Sequence, residues 1–235
     1  MARAVTGVGE DPAGLRLRGP RGRPTTAFWT DDLNIFNGTI SSVPLAGGTA
    51  TTVLNGLNSP QGIAADANNL YWADFGDGTV NRYSLTDATR TALVQGQGGV
   101  GGVAVDSTGV YWTTATGSST GGAIRYAPFN ASGVGAETIL IGGLNAPTGV
   151  AVEGGQVFWT DNLNQTVNTR AISGGPVTVI ARGQAEPNGV AVSGGQAYWV
   201  NSDGTINAAP IGGGGPVATL YSSIFDIANG VAIGP

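Results

Sequence analysis

The sequence contains five copies of an aromatic residue followed by tryptophan, and their spacing is nearly even. The copies are Phe28-Trp29, Tyr71-Trp72, Tyr111-Trp112, Phe158-Trp159 and Tyr198-Trp199. These pairs use all five tryptophans of the chain, and successive pairs lie 43, 40, 47 and 40 residues apart. A period of this length with strand-like content is typical of β-propeller blades. The spacing therefore predicts an all-β chain with five repeated units.

Each copy has the same internal order of strand-like segments. A glycine–small–apolar segment comes first, at residues 62–66, 102–106, 149–153 and 189–193. The aromatic segment follows, then a polar loop, a third segment and a glycine-rich turn before a fourth segment rich in Thr, Val and Leu. This order predicts a four-stranded antiparallel meander in which glycines supply the hairpin turns. The 41 glycines and 12 prolines of the chain fit a fold with many tight turns.

The aromatic segments are apolar at nearly every position, which predicts strands packed on both faces. In a propeller each blade packs between two others, so both faces of its sheet are buried. The first segments carry alanines at equivalent positions, and small side chains suit the crowded axis of a ring with few blades. These alanines are Ala64, Ala104, Ala151, Ala191 and Ala232.

The two ends of the chain predict how the ring closes. The first copy has no glycine–small–apolar segment before it, whereas residues 229–234 near the C-terminus are of that type. We expect this segment to pair beside residues 28–31 and complete the first of five blades. The alternative is that both ends are cut from a propeller of six or more blades. Residues 25–235 are thus assigned to the propeller. Residues 1–24 are assigned to a disordered tail rich in Arg, Gly and Pro, or to a wrongly assigned start of translation.

The composition excludes several kinds of chemistry because the chain has no His, Cys or Lys. Catalytic triads, thiolate nucleophiles, zinc–thiolate sites and Schiff-base lysines all need one of these residues. The net charge of −5 becomes more negative when the arginine-rich first 23 residues are set aside, so nucleic acid is not expected as a partner. No apolar run is long enough for a membrane-spanning helix, and none is predicted.

The repeats carry a family resemblance in addition to a fold prediction. Residues 28–31 and 158–161 read Phe-Trp-Thr-Asp, which resembles the YWTD repeats of lipoprotein-receptor propellers. The first segment of each copy resembles NHL-type repeats. Together they are most similar to bacterial propeller-repeat proteins that are often exported. The resemblance implies the propeller fold and a location outside the cytoplasm, although the first 24 residues lack the apolar core of a signal peptide.

Polar residues after the aromatic segment and in the links between blades form the predicted site. In propellers these loops share one face, and a ring of carboxylates and amides there can bind a polar ligand. The predicted ligand-binding residues are Asp32, Asn34, Asp77, Asn164, Asn188, Asn201, Asp203 and Asn229. An alternative interpretation is that these residues only form turns, because Asp and Asn are common turn residues. The sequence predicts a monomeric, non-enzymatic binding module for a protein or glycan.

The alternative function is a metal-dependent hydrolase or lyase of the lactonase-like propeller type. Asp, Glu and Asn oxygens can hold a divalent cation such as calcium on the propeller axis without any histidine. No local calcium-loop motif supports this alternative, so no catalytic residue, metal ligand or cofactor is assigned.

Overall fold

The computed structural model describes residues 16–18, 24–32, 37–115, 121–131 and 133–222. Within these ranges the chain forms strands and no helix. Blade 1 contains β1 (Arg16–Arg18), β2 (Pro24–Asp31), β3 (Gly38–Pro44) and β4 (Thr51–Leu57). Blade 2 contains β5 (Pro60–Ala65), β6 (Asn69–Asp74), β7 (Thr79–Ser84) and β8 (Arg90–Val94). Blade 3 contains β9 (Val100–Val105), β10 (Gly109–Thr114), β11 (Gly122–Asn130), β12 (Gly133–Val134) and β13 (Thr138–Leu144). Blade 4 contains β14 (Pro147–Glu153), β15 (Gln156–Asp161), β16 (Thr166–Ala171) and β17 (Thr178–Arg182). Blade 5 contains β18 (Pro187–Ser193), β19 (Gln196–Asn201), β20 (Thr205–Pro210) and β21 (Ala218–Ser222).

Each blade is an antiparallel sheet whose strands follow one another in chain order. Blade 3 differs by the short strand β12, which pairs with the end of β11 before β13 completes the sheet. The five sheets are arranged as a β-propeller, so the predicted fold class and blade organisation are confirmed.

The ends of the chain are only partly described. β1 pairs with the beginning of β2, with Arg16 opposite Ala27 and Arg18 opposite Pro24. This short strand falls inside the segment assigned to the tail. The C-terminal segment at residues 229–234 lies outside the described residues, so closure of the ring by that segment stays a prediction.

The cores of the propeller lie between neighbouring blades. Four hydrophobic clusters within the described residues each join the Phe or Tyr of one aromatic strand to the Trp of the next blade. The pairs are Phe28 with Trp72, Tyr71 with Trp112, Tyr111 with Trp159, and Phe158 with Trp199. Each of these four tryptophans is at most 1% exposed. The aromatic pair therefore builds the interfaces on both faces of a blade, as its sequence pattern predicts, because large aromatic rings bury the most apolar surface.

The threonine after the tryptophan ties neighbouring blades together near the axis. Thr113 Oγ1 donates to Thr148 O at 3.0 Å and accepts from Gly102 N at 2.8 Å. Thr160 Oγ1 donates to Asn188 O and accepts from Gly149 N in the same way. The threonine of the motif is therefore a link between inner strands.

The glycines of the inner strands permit close contact between blades. A Cβ atom on Gly62 would lie 2.7 Å from Gly102 Cα, and one on Gly149 would lie 2.5 Å from Asn188 O. Such distances are too short for any side chain, so the strands β5, β9, β14 and β18 approach backbone to backbone. The small alanines at 64, 104, 151 and 191 are fully buried beside them.

One end of the propeller collects the loops after each second strand and the links between blades, and we call it the loop face. Backbone hydrogen bonds join these two sets of loops, as in Gly76 N to Asn58 O at 2.8 Å and Ser202 N to Ala185 O at 2.9 Å. The opposite end carries Asp66 and Asp106. Each of these carboxylates caps its own turn by accepting two backbone N–H groups.

Candidate functional site

The predicted ligand-binding residues differ in how far they reach the solvent. Asp32, Asp77, Asn164 and Asp203 are exposed on the loop face, and Asn188 is half-buried. Asn201 is 4% exposed, so it lies below the surface and not on it. Asn34 and Asn229 lie outside the described residues.

Several of the exposed side chains also hold the loop face together. Asp77 Oδ1 accepts from Asn58 Nδ2 at 2.8 Å in blade 2, and Asn164 Oδ1 accepts from Asn145 Nδ2 at 3.2 Å in blade 4. Asp203 Oδ1 accepts from the backbone N–H of Thr205 at 3.0 Å. These contacts fix the loops relative to the blade links, which gives the polar groups defined positions.

The aspartate of the repeat motif is buried beneath this face. Asp161 is 2% exposed, and its Oδ2 accepts from Asn145 N at 3.2 Å and from Asn164 Nδ2 at 3.0 Å. Burial raises the pKa of Asp161, although these hydrogen bonds counteract the rise. Burial and the nearby Asp77 raise the pKa of Asp74 to about 6, and the guanidinium of Arg90 counteracts this. Asp161 therefore holds the blade link at Asn145 to the loop at Asn164.

Blades 3 and 5 hold the indole N–H of their tryptophans differently from blades 2 and 4. Trp112 Nε1 donates to Gln97 Oε1 at 3.3 Å, and Trp199 Nε1 donates to Gln184 Oε1 at 2.8 Å. Leucine occupies the equivalent place in the other two blades, at Leu57 and Leu144, fifteen residues before the tryptophan. These two blades, like blade 1 with Asp31, retain aspartate two residues after the tryptophan, at Asp74 and Asp161.

This exchange leaves the indole nitrogens of Trp72 and Trp159 without a hydrogen bond to any described residue. The Oδ1 atoms of Asp74 and Asp161 are also unpaired, as are Thr114 Oγ1 and Asn201 Oδ1 at the corresponding positions of blades 3 and 5. Buried groups in this state cost about 1–3 kcal/mol each unless a ligand or water satisfies them.

In blade 4 the residues that carry the unpaired atoms line an open cavity of about 370 Å³. Its lining includes Leu144, Trp159, Asp161, Asn164, Val177 and Arg182. The cavity combines apolar walls with one buried carboxylate, and the exposed side chain of Arg182 belongs to its outer part. Sequence reasoning named Asn164 but missed the rest of this arrangement.

The described residues contain no group of three Asp or Glu side chains placed to hold a metal ion. Within the same part of the chain, no helix has the length and apolar character needed to cross a membrane.

The pairing of glutamine with tryptophan predicts a stabilising exchange in blade 4. The double substitution Leu144→Gln with Asp161→Asn reproduces the blade 5 arrangement, and we expect it to raise the free energy of unfolding by about 1 kcal/mol at pH 7.5. A carboxyl whose folded pKa is raised stabilises the fold below its unfolded pKa, and this stability is lost as pH rises through the folded pKa.

The gain should therefore be smaller at pH 4 than at pH 7.5. Urea unfolding of the double variant and the native protein at both pH values measures this difference. A gain that is equal at both pH values contradicts an ionised, poorly solvated Asp161.

Comparisons with known proteins give a structural neighbour and no sequence match. No protein-family model matches the chain, and no curated protein matches it. The chain is similar to a chain in the crystal structure of a nidogen/laminin complex, with a TM-score of 0.71 and 22% sequence identity. The match covers 80% of this chain and 72% of the other. At this identity the likeness concerns the fold alone, and the chain has the fold of a YWTD-type β-propeller.

Proposed function

We propose that the protein is a non-enzymatic binding module that presents its loop face to a protein ligand. The observation that carries this proposal is the repeated placement of exposed carboxylates and amides on four of the five blades. Asp32, Asp77, Asn164 and Asp203 all occupy the loop after the second strand of their blade. Loops held on a rigid scaffold are the usual place for binding residues.

The loop face is organised before any ligand arrives. Backbone hydrogen bonds and the Asn58–Asp77 and Asn145–Asn164 side-chain pairs hold the loops of blades 2, 4 and 5 to the adjoining blade links. A surface that is already ordered loses little conformational entropy on binding, so more of its contact energy contributes to affinity.

The charge of the face indicates the kind of ligand. Three of the four exposed residues named above are aspartates, and the whole chain has a net charge of −5. Complementary charge steers association and favours correct partners, so a ligand protein with basic side chains is expected. The structural neighbour comes from a complex named for two proteins, nidogen and laminin, which supports a protein as the ligand.

No observation adds support to the other predictions from the sequence. A glycan ligand, a monomeric state and a location outside the cytoplasm stay predictions. A metal-dependent hydrolase or lyase stays the alternative prediction. The described residues contain no group of acidic side chains that could hold a cation, so no observation favours it.

The proposal predicts that substitutions on the loop face abolish capture of a protein without unfolding the propeller. The immobilised full chain is incubated with an array of purified secreted and surface proteins and a parallel glycan array. A variant with Asp32, Asp77, Asn164 and Asp203 all changed to alanine is expected to bind the captured protein at least about tenfold more weakly.

A matched control uses the opposite end of the propeller. Glu153 and Asp87 lie there, in the first–second and third–fourth strand turns, and are both exposed. Changing them to Gln and Asn should leave capture unchanged. If the four-residue variant binds as well as the native chain, or if only the control variant loses binding, the loop face is not the contact surface.

A further inference from the structure

Blades 2 and 4 present the same inward-facing residues at corresponding positions. Trp72 lies opposite Asn81 and Asp74 lies opposite Thr79 in blade 2. Trp159 lies opposite Asn168 and Asp161 lies opposite Thr166 in blade 4. In both blades the outermost strand pairs with the third strand after a register shift, with Ala92 opposite Asn81 and Val179 opposite Asn168. Arg90 in blade 2 therefore corresponds to Val177 in blade 4.

In blade 2 the side chain of Arg90 covers the buried tryptophan and aspartate. Its Cζ lies 5.1 Å from the centroid of the Trp72 ring, and its Nη2 lies 3.4 Å from Asp74 Oδ2. Asp74 is fully buried in this arrangement. A guanidinium over an indole ring and beside a carboxylate gains both cation–π attraction and a charge-assisted hydrogen bond.

In blade 4 the position of Arg90 is held by Val177, which brings no guanidinium to the corresponding tryptophan and aspartate. Val177 is too short to reach Asp161, and the cavity of about 370 Å³ lies in the corresponding place. Trp159 Nε1 and Asp161 Oδ1 lack a hydrogen-bond partner among the described residues, as do Trp72 Nε1 and Asp74 Oδ1 in blade 2, where Arg90 contacts the other carboxylate oxygen. Trp159 and Asp161 are each at most 2% exposed and both line the cavity, so blade 4 has a buried carboxylate there without the cation that blade 2 supplies.

We infer that the blade 4 cavity binds the guanidinium group of an arginine side chain, with Asp161 as its carboxylate partner and Trp159 beside it in the cavity wall. The inference rests on the proposed function, because the arginine would belong to the ligand protein that the loop face captures. Asn164 connects the two, since it lies on the loop face and also lines the cavity.

The chain supplies the model for this contact in its own Arg90. A buried carboxylate with an unpaired oxygen is stabilised by an incoming cation, and it disfavours an anion. Arg182 also lines the cavity and is positively charged, but its side chain is exposed and its repulsion is weakened by solvent. The corresponding residue of blade 2 is the neutral Gln95.

Blades 3 and 5 do not offer this site. In these blades the indole N–H is held by Gln97 or Gln184, and no aspartate follows two residues after the tryptophan. Blade 4 therefore differs from blades 3 and 5 by leucine in place of glutamine, and from blade 2 by valine in place of arginine.

The inference is tested on the full chain with two small probes of matched shape, butylguanidine and its neutral counterpart butylurea. Isothermal titration calorimetry or ligand-observed NMR measures their affinities. Butylguanidine is expected to bind with a Kd of about 1 mM or below, as suits a fragment of this size, and butylurea at least about tenfold more weakly.

Four variants locate the site. Asp161→Asn is expected to weaken butylguanidine binding at least about tenfold, and Val177→Arg to abolish it by filling the cavity as Arg90 fills blade 2. Arg182→Gln should strengthen butylguanidine binding by about two- to threefold, because it removes the solvent-screened repulsion between Arg182 and the bound guanidinium. Arg90→Val should create a second site in blade 2 and raise the stoichiometry from one to two.

Three results would overturn the inference. The first is equal binding of butylguanidine and butylurea. The second is unchanged butylguanidine affinity in both Asp161→Asn and Val177→Arg. The third is binding of acetate that Arg182→Gln abolishes, which would make the cavity an anion site. If butylguanidine binds as expected while the loop face captures no protein, the proposed function is wrong and the cavity inference still stands. If protein capture succeeds and butylguanidine does not bind, only the cavity inference fails.

Discussion

Replacing Trp199 with alanine is expected to lower the free energy of unfolding by about 3–5 kcal/mol. Trp199 is fully buried in the cluster between blades 4 and 5, together with Phe158, Val167 and Val190. Its removal takes the largest side chain out of that cluster and leaves a cavity between two sheets that cannot collapse independently. It also deprives Gln184 Oε1 of the indole N–H that it accepts at 2.8 Å.

Urea unfolding of the Trp199→Ala variant measures this loss, and Tyr221→Ala is the control. Tyr221 is an aromatic residue on the outermost strand of the same blade and is 50% exposed. Its substitution should change the free energy of unfolding by less than about 1 kcal/mol. A loss below about 1 kcal/mol for Trp199→Ala would mean that the aromatic pairs do not build the interfaces between blades.

Replacing Gly149 with alanine is expected to cost about 2–3 kcal/mol, although only one methyl group is added. The new Cβ would lie 2.5 Å from Asn188 O and 2.8 Å from Val190 N. Both atoms belong to the backbone of β18, so relief of the clash requires movement of a whole strand of blade 5. The hydrogen bond from Gly149 N to Thr160 Oγ1 at 2.8 Å is strained by the same movement.

Gly142→Ala is the matched control for this substitution. Gly142 lies within a strand, on the outer edge of blade 3, and a Cβ there would meet its nearest neighbour at an ordinary 3.5 Å. We expect its stability to change by no more than about 0.5 kcal/mol. Equal losses of stability in the two variants would mean that the cost comes from the different strand propensities of glycine and alanine. Backbone contact near the axis would then not explain the inner-strand glycines.

The fold could be predicted because its main determinant repeats in the sequence. A large aromatic pair recurs once per blade. Its two residues pack between neighbouring sheets, as Phe158 and Trp159 do in blade 4. The inner-strand glycines also recurred visibly, at residues 62, 102, 149 and 189. Their role could not be predicted from one chain, because it depends on how closely neighbouring inner strands approach, and that distance is a property of the assembled ring.

The candidate site was predicted less completely than the fold. The position of Asn201 follows the repeat, but its amide turns inward, where Nδ2 donates to Gln184 Oε1 at 3.3 Å and to Thr205 Oγ1 at 3.1 Å. A polar residue after a strand can equally face solvent or satisfy a buried partner, and sequence alone does not distinguish these cases. The glutamine at residue 184 was the available signal, since it replaces a leucine of other blades.

The blade 4 cavity had a signal in the sequence that needed the structure to interpret. Arg90 and Val177 stand at the same distance from the tryptophan of their blades, 18 residues after it. That spacing alone does not place the two residues over the indole ring. The register shift between the third and fourth strands, seen at Val80/Asn81 and at Val167/Asn168, brings the outermost strand into that position.

The most direct measurement on the central claim is a crystal structure of the full chain with butylguanidine. The account predicts guanidinium density in the blade 4 cavity, beside Trp159 and within hydrogen-bond distance of a carboxylate oxygen of Asp161, as Arg90 lies beside Trp72 and Asp74 in blade 2. Butylguanidine bound elsewhere, with the blade 4 cavity holding only water, would contradict it.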